Sequence, residues 1–416
     1  MVKQYALEVG FDLVGIAPPA ALKDLEFLPR WLKKGYGGEM RYLSDPRRED
    51  PVKVLPSVKS IICVGLIYNT PHSYSSDNST RGGGKYGFDN AAPGKMPPRA
   101  WISRYSWGRD YHGVMRKRLE QLRAVLNEAA PGVETRVYVD TGPIVERAFA
   151  RLSGMGWMGK NTCLINEGKG SWFFLGVVLT NLELELDFPA PDRCGSCTRC
   201  LEACPTGALV EPYVMDASRC ISYFNIELRG SIPEEFREAI GRNVFGCDIC
   251  QDVCPWNGPS SKASGAFPDE AGRHEDPCPP VSPRRYAAVT KLPEFQPMQI
   301  EVYARNSALA PCDSAQSQAS IAEPRLPPVS FSLFDPSLKN LLSIAEKDFQ
   351  RVFARSPIKR AKFRGWLRNL CVVLGNSGDR QFIPWLETAA QHVDPLVREH
   401  ANWALRRLQG SDHRNP

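Results

Sequence analysis

The chain has 416 residues, too many for one compact domain and enough for two to four that each bury a core. Its 52 Lys and Arg against 46 Asp and Glu leave a net charge of +6, which permits a polyanionic partner without demanding one. No run of 18 apolar residues occurs, and the N-terminus (Met1-Val2-Lys3-Gln4-Tyr5) has neither the apolar stretch nor the cleavage site of a signal peptide, so a cytoplasmic protein with no membrane partner is predicted.

From the start to residue 190, short apolar runs alternate with amphipathic helix patterns, the mark of an α/β domain. Ser60 to Leu66 reads as a buried strand and Asp110 to Ala130 as a helix. Val133 to Val139 reads as a strand that runs through Asp140-Thr141-Gly142-Pro143 into a helix, capped by Thr141 or Asp140 with Pro143 near its first turn. Cys163 to Asn166 and Trp172 to Thr180 are two further strand candidates. Residues 191–258 form a cysteine-rich module poor in apolar periodicity, whose core would be metal. Residues 259–330, rich in Pro, Ser and Ala and containing Cys278 and Cys312, read as a long loop, a linker or an insertion. Residues 331–410 carry helical patterns separated by Pro, Gly and Asp that resemble paired HEAT-type repeats.

The cysteines carry the strongest chemistry. Thirteen of them in a reducing compartment argue against a disulfide framework, and most crowd between Cys194 and Cys254. Cys194, Cys197, Cys200 and Cys204 followed by Pro205 have the bacterial ferredoxin spacing, in which three cysteines hold one 4Fe-4S cube and the fourth reaches a second. Cys247, Cys250 and Cys254 followed by Pro255 repeat the end of that pattern, and Cys220 can supply the missing ligand. The crossover rule assigns Cys194, Cys197, Cys200 and Cys254 to one cluster and Cys204, Cys220, Cys247 and Cys250 to the other. A pair of zinc sites is the competing reading, but zinc takes four tetrahedral ligands from two short knuckles, whereas this run folds around a cube. Clusters held by interleaved ligands sit close enough for fast electron transfer, and they predict a redox reaction elsewhere in the molecule.

Gly154-Met155-Gly156-Trp157-Met158-Gly159 matches G-x-G-x-x-G, yet its glycines follow a helix and precede a strand, the reverse of a dinucleotide fingerprint. Gly154 is better read as a helix C-cap. No P-loop GKS or GKT occurs either. Asp140 ends a strand, where open α/β sheets place their ligands, and is a candidate general acid; an Asp before Thr-Gly-Pro is equally a natural cap or Asx-turn. His112 and Arg147 are its candidate polar partners, with a local hydrogen bond and a solvated helix face as their ordinary roles.

Several segments together resemble the epoxyqueuosine reductase family: Ser103 to His112 (SRYSWGRDYH), Val139 to Pro143 (VDTGP), Gly159 to Thr162 (GKNT), the phrase GCDICQDVCPWN ending at Asn257, and Ser356 to Ala361 (SPIKRA). The resemblance covers residues 1 to 258 and 330 to 410 and implies a cobalamin-dependent enzyme that finishes queuosine in tRNA. It implies an α/β N-terminal cobalamin-binding domain, a ferredoxin-like module with two 4Fe-4S clusters, and C-terminal α-helical HEAT-like repeats that bind the tRNA carrying epoxyqueuosine at its wobble position. The chain would work as a monomer fed by an external electron donor. By the same resemblance Asp140 would donate a proton, and Cys63, Arg104, Asp140, Asn161, Cys163, Ser171 and Ser222 would contact cobalamin. Asp110, His112, Arg147, Lys359 and Arg360 would contact substrate. The D-x-H-x-x-G cobalamin signature is absent, since Gly113-Val114-Met115 follows His112, so no lower axial histidine is expected from it.

Two other functions compete. A corrinoid reductive dehalogenase pairs the same cofactors but has no reason to carry basic C-terminal helices, and a ferredoxin-like electron carrier needs little beyond residues 191–258. The basic run Arg355, Lys359, Arg360, Lys362, Arg364 and Arg368, interleaved with Ile358, Phe363, Trp366 and Leu367, is expected to pack one face and to offer the other to phosphates.

Overall fold

The computed structural model describes residues 1–19, 26–75, 98–258, 288–303 and 328–410. They fall into two units that interleave along the chain. One comprises Met1–Tyr74, Asp110–Cys220 and Asp248–Gln296, the other Ser75–Arg109, Ile221–Cys247 and Pro297–Pro416. This division does not follow the sequential one at residues 190, 258 and 330, because contacts rather than sequence neighbourhood define a unit.

The first unit is built on a four-stranded sheet of β1 (Leu13–Ala17), β2 (Ser60–Ile67), β3 (Thr135–Tyr138) and β4 (Phe173–Thr180), in the order β1-β2-β4-β3. Every residue of β2 is buried and β4 is nearly so, which explains why these two central strands read as unbroken apolar runs instead of alternating ones. All pairings are antiparallel. The sheet is therefore not the open parallel kind whose carboxyl edge collects ligands, and the edge argument for Asp140 falls away.

Helix α1 (Tyr111–Ala129) buries Met115, Leu119, Leu122 and Leu126, a helical spacing that lays one apolar stripe against the sheet. The approach is close enough to require glycine: a Cβ on Gly176 would lie 2.9 Å from Met115 Cε and 3.1 Å from Leu119 Cδ1. Across the sheet, Val177 and its register partner Cys63 pack with Ala148 and Phe149 of helix α2 (Glu146–Leu152). Gly154 takes the left-handed conformation (φ 72°) just past the end of α2, as a C-cap glycine does, and the next strand follows at Trp157–Met158. The glycine-rich segment thus terminates a helix.

In the second unit, Trp101–Ile102 runs parallel to Asn243–Phe245, and Gln299–Tyr303 pairs antiparallel with Pro328–Ser332. The strand Gln299–Tyr303 lies inside the stretch read as a loop, linker or insertion. Cys278 and Cys312 lie outside the described residues. The helical pattern expected over Ser337 to Phe353 divides into Leu338–Leu342 and Glu346–Val352. Three helices follow, α3 (Lys362–Asn376), α4 (Ile383–Ala389) and α5 (Pro395–Gln409).

Helix α3 is not the two-faced helix expected from its charges. From Gly365 to Gly375 every residue is buried, as in a helix enclosed by its neighbours. Arg368, 1% exposed, donates to the carbonyls of Leu228 and Gly230 at 2.8 Å and of Phe224 at 2.5 Å, so it saturates a neighbouring turn and presents nothing to phosphate. Arg360 is ion-paired to Glu227 at 3.2 Å and Arg364 to Asp394 at 2.6 Å. These acids, Glu227 and Asp394, lie far off in sequence. Arg355, Lys359 and Lys362 remain exposed.

Candidate functional site

Strand β3 ends at Tyr138, and the chain then turns sharply before α2. Asp140 sits at φ 56°, a left-handed conformation that Asp tolerates better than most residues. Gly142 is pressed so tightly on Tyr138 that a Cβ would lie 2.2 Å from its ring. Neither Asp140 nor Thr141 caps the helix, since α2 begins after Val145 with no side-chain cap, so the cap reading is corrected. The Asp140 carboxylate is thereby left for another partner.

That partner is His112. Asp110 caps α1 by accepting the His112 backbone N–H at 3.1 Å, and its carboxylate also lies 2.7 Å from His112 Nδ1. His112 Nε2 lies 3.2 Å from Asp140 Oδ2. Burial opposes charge on this imidazole, but the hydrogen bonds to Asp110 and then Asp140 outweigh it and raise its pKa to about 9. The ring is therefore an imidazolium at neutral pH, donating from both nitrogens to two carboxylates. Tyr111 orients it by stacking on His112 (ring centroids 4.1 Å apart) and on Phe174 of β4 (4.2 Å, planes within 4°).

Glu146, the first residue of α2, was missed by sequence reasoning. Its Oε1 is shielded and has no hydrogen-bond partner among the described residues. Burial first, and then the charge of Asp140, raise its pKa to about 7. An acid at a helix start six residues after a candidate general acid was the available signal, but only the tertiary turn brings the two together.

Arg147, exposed on α2, donates to the carbonyl of Thr162 at 2.5 Å and so anchors the GKNT loop. That loop ties down both cysteine runs. Lys160 Nζ donates to the carbonyls of Gly195 at 2.6 Å and Cys197 at 3.0 Å. Asn161 Nδ2 donates to the carbonyl of Cys250 at 3.1 Å, while its Oδ1 accepts the N–H of Cys163 at 3.1 Å.

Cys194, Cys197, Cys200 and Cys254 line one cavity together with Lys160, Asn161 and Trp256. Trp157, set edge-on to Trp256 (4.9 Å, 78°), and Ile165 close its apolar side against Cys254. Burial, then the nearness of Cys197 and Cys194, pushes the Cys200 thiol up to about 12, and burial raises Cys254 as well. Thiols this reluctant to ionise need a strongly cationic group to bind as thiolates. A four-thiol donor set around one cavity fits a 4Fe-4S core. Among the described residues, no three His, Cys, Asp or Glu side chains gather on a single metal-ion position. Of the other cysteines, Cys204 accepts the N–H of Ala208 at 3.3 Å, and Cys220 follows the turn Ala217–Arg219. Cys204, Cys220 and Cys250 belong to the first unit and Cys247 to the second.

The residues carried over for cobalamin are divided between the two units, with Cys63, Asp140, Asn161, Cys163 and Ser171 in the first and Arg104 and Ser222 in the second. Cys63 is wholly buried in the core behind the sheet and has no surface to offer a ligand. Ser171 is occupied: its N–H donates to Asn257 Oδ1 at 2.7 Å and its Oγ accepts from Gln251 at 2.9 Å. Arg104 and Ser222 lie in the second unit, Arg104 buried with its guanidinium 4.6 Å from the Trp107 ring and Ser222 at the start of the turn Tyr223–Glu227. Lys359, exposed, also lies there.

A cavity ringed by four cysteines is the apparatus of an iron–sulfur redox protein. Residues 193–257 match the 4Fe-4S double cluster binding domain, and residues 48–141 match the family described as epoxyqueuosine reductase QueG, DUF1730. The epoxyqueuosine reductase of Xanthomonas campestris pv. campestris is 34% identical over 407 residues, covering 97% of this chain and 94% of the relative. That of Gloeobacter violaceus is 38% identical over 385 residues, covering 91% and 96%. The fold superimposes on a crystal structure of epoxyqueuosine reductase with an epoxyqueuosine-modified tRNA-Tyr stem loop, with a TM-score of 0.71, 27% identity, and coverage of 98% of this chain and 89% of that one. The chain belongs to the epoxyqueuosine reductase family.

Proposed function

We propose that this chain reduces epoxyqueuosine to queuosine in tRNA. The reaction consumes two electrons and two protons and converts the epoxide to an alkene and water. The observation that carries the reading is the imidazolium of His112 held between Asp110 and Asp140, with Asp140 half-exposed toward solvent. His112 holds a proton on Nε2 against the Asp140 carboxylate, so a proton moving from the ring through Asp140 reaches the departing epoxide oxygen and leaves the imidazole neutral, to be reprotonated from solvent. Asp110 holds the ring in register for that transfer. Arg147 anchors the loop after Gly159 through the carbonyl of Thr162.

The electrons come from two 4Fe-4S clusters, one on Cys194, Cys197, Cys200 and Cys254 and the other on Cys204, Cys220, Cys247 and Cys250. Cobalamin is the cofactor assigned to the reduction itself, and when bound it supplies low-potential electron delivery to carbon. The C-terminal helices, read as HEAT-like, grip the tRNA with exposed Lys359 and its basic neighbours. Family membership and the fold shared with the stem-loop complex support this partner.

Mass spectrometry of nucleosides digested from epoxyqueuosine-tRNA, after incubation with the reduced protein and cobalamin, tests the proposal. The expected product is queuosine, lighter by one oxygen. An unchanged nucleoside with both clusters reduced and cobalamin bound overturns it.

A further inference from the structure

We propose that Lys160 tunes the cluster held by Cys194, Cys197, Cys200 and Cys254, its ammonium drawing the Cys194–Cys197 loop closed and raising that cluster's reduction potential. The inference rests on the reading of those four cysteines as ligands.

Lys160 is 9% exposed, a rare setting for an ammonium unless it is paired. Its partners are two neutral carbonyls, Gly195 O at 2.6 Å and Cys197 O at 3.0 Å, both inside the first cysteine run. Among the described residues its ammonium pairs with no carboxylate. Asp192, two residues before Cys194, is engaged elsewhere: it accepts the N–H of Cys194 at 2.7 Å and the hydroxyl of Tyr213 at 2.5 Å. The backbone of Lys160 is held too, its carbonyl accepting the N–H of Tyr213 at 3.1 Å. A buried cation fixed from both sides and left without a counter-ion is costly unless an anion shares its cavity. Lys160 lines the same cavity as the four cysteines. A 4Fe-4S core bound by four thiolates carries net negative charge, and one-electron reduction adds another negative charge. An adjacent ammonium stabilises the reduced state more than the oxidised one, and charge near a cluster is among the determinants of its potential.

The test is a potentiometric titration of the anaerobic full-length protein followed by electron paramagnetic resonance, for wild type, Lys160→Gln and Lys160→Arg. Gln keeps a donor for the loop carbonyls without the charge; Arg keeps the charge. At the wild-type midpoint, Lys160→Gln is expected to lower the reduced-to-oxidised ratio of one cluster about tenfold, a shift of about 59 mV for a one-electron couple, while the other cluster and Lys160→Arg stay near wild type. If Lys160→Gln loses one cluster, retention of both at wild-type potential in Lys160→Arg supports the charge role. The proposal is overturned by unchanged potentials in Lys160→Gln, by Lys160→Arg shifting as far as Gln, or by both variants losing the cluster alike. Wild-type protein without two cluster signals would instead contradict the ligand reading.

Discussion

Asp140→Ala is expected to keep both clusters and the fold while losing about 100-fold or more of epoxide reduction, the range of a general acid. The fold does not depend on this side chain: it is 45% exposed, and α2 starts without a cap from it. Its evident partner is His112. The same geometry predicts a pH dependence. Because Asp110 and Asp140 raise the pKa of His112 to about 9, the protonated ring persists through neutrality, and the rate should fall only as pH rises through that value. Removing Asp140 deletes one of the two stabilising carboxylates, so the residual activity should decline at lower pH than in wild type. Single-turnover rates from neutral to alkaline pH, measured with cluster absorbance as a control, read both effects. Activity within a few-fold of wild type would reduce Asp140 to a turn residue.

Cys254→Ala is expected to abolish the paramagnetic signal of the cluster bound by Cys194, Cys197 and Cys200, and to leave the cluster of Cys247 and Cys250 in place. Sequence proximity suggests the opposite, since Cys254 is four residues from Cys250. Its thiol lines the cavity of the first run, where Trp157 and Ile165 pack on it. Iron should fall from about eight to about four per chain. Loss confined to the Cys247 cluster would refute the crossed assignment.

The chemistry most readable in the sequence was that set by short spacing. The cysteine runs name their cofactor because a cube needs ligands at fixed intervals. Asp110 before α1 and Gly154 after α2 follow from local capping rules, and β2 showed itself by an unbroken apolar run. What sequence left open depends on partners distant along the chain. The strand order β1-β2-β4-β3 and its antiparallel sense are long-range pairings with no local signature. Arg368 looked like part of a phosphate-binding surface because its acceptors, the carbonyls of residues 224, 228 and 230, are invisible in a charge count. Asp140 read as cap or acid alike, because its contact with His112 is made only by the turn after β3. Lys160 gave no signal of its own, since its acceptors are backbone atoms more than thirty residues away.

The most direct test of the account is metal analysis of anaerobically purified protein, iron and cobalt together. Two clusters working with a corrinoid require about eight irons and about one cobalt per chain once cobalamin is supplied. Iron near that value with no retained cobalt would contradict the corrinoid-dependent reduction and leave an electron carrier.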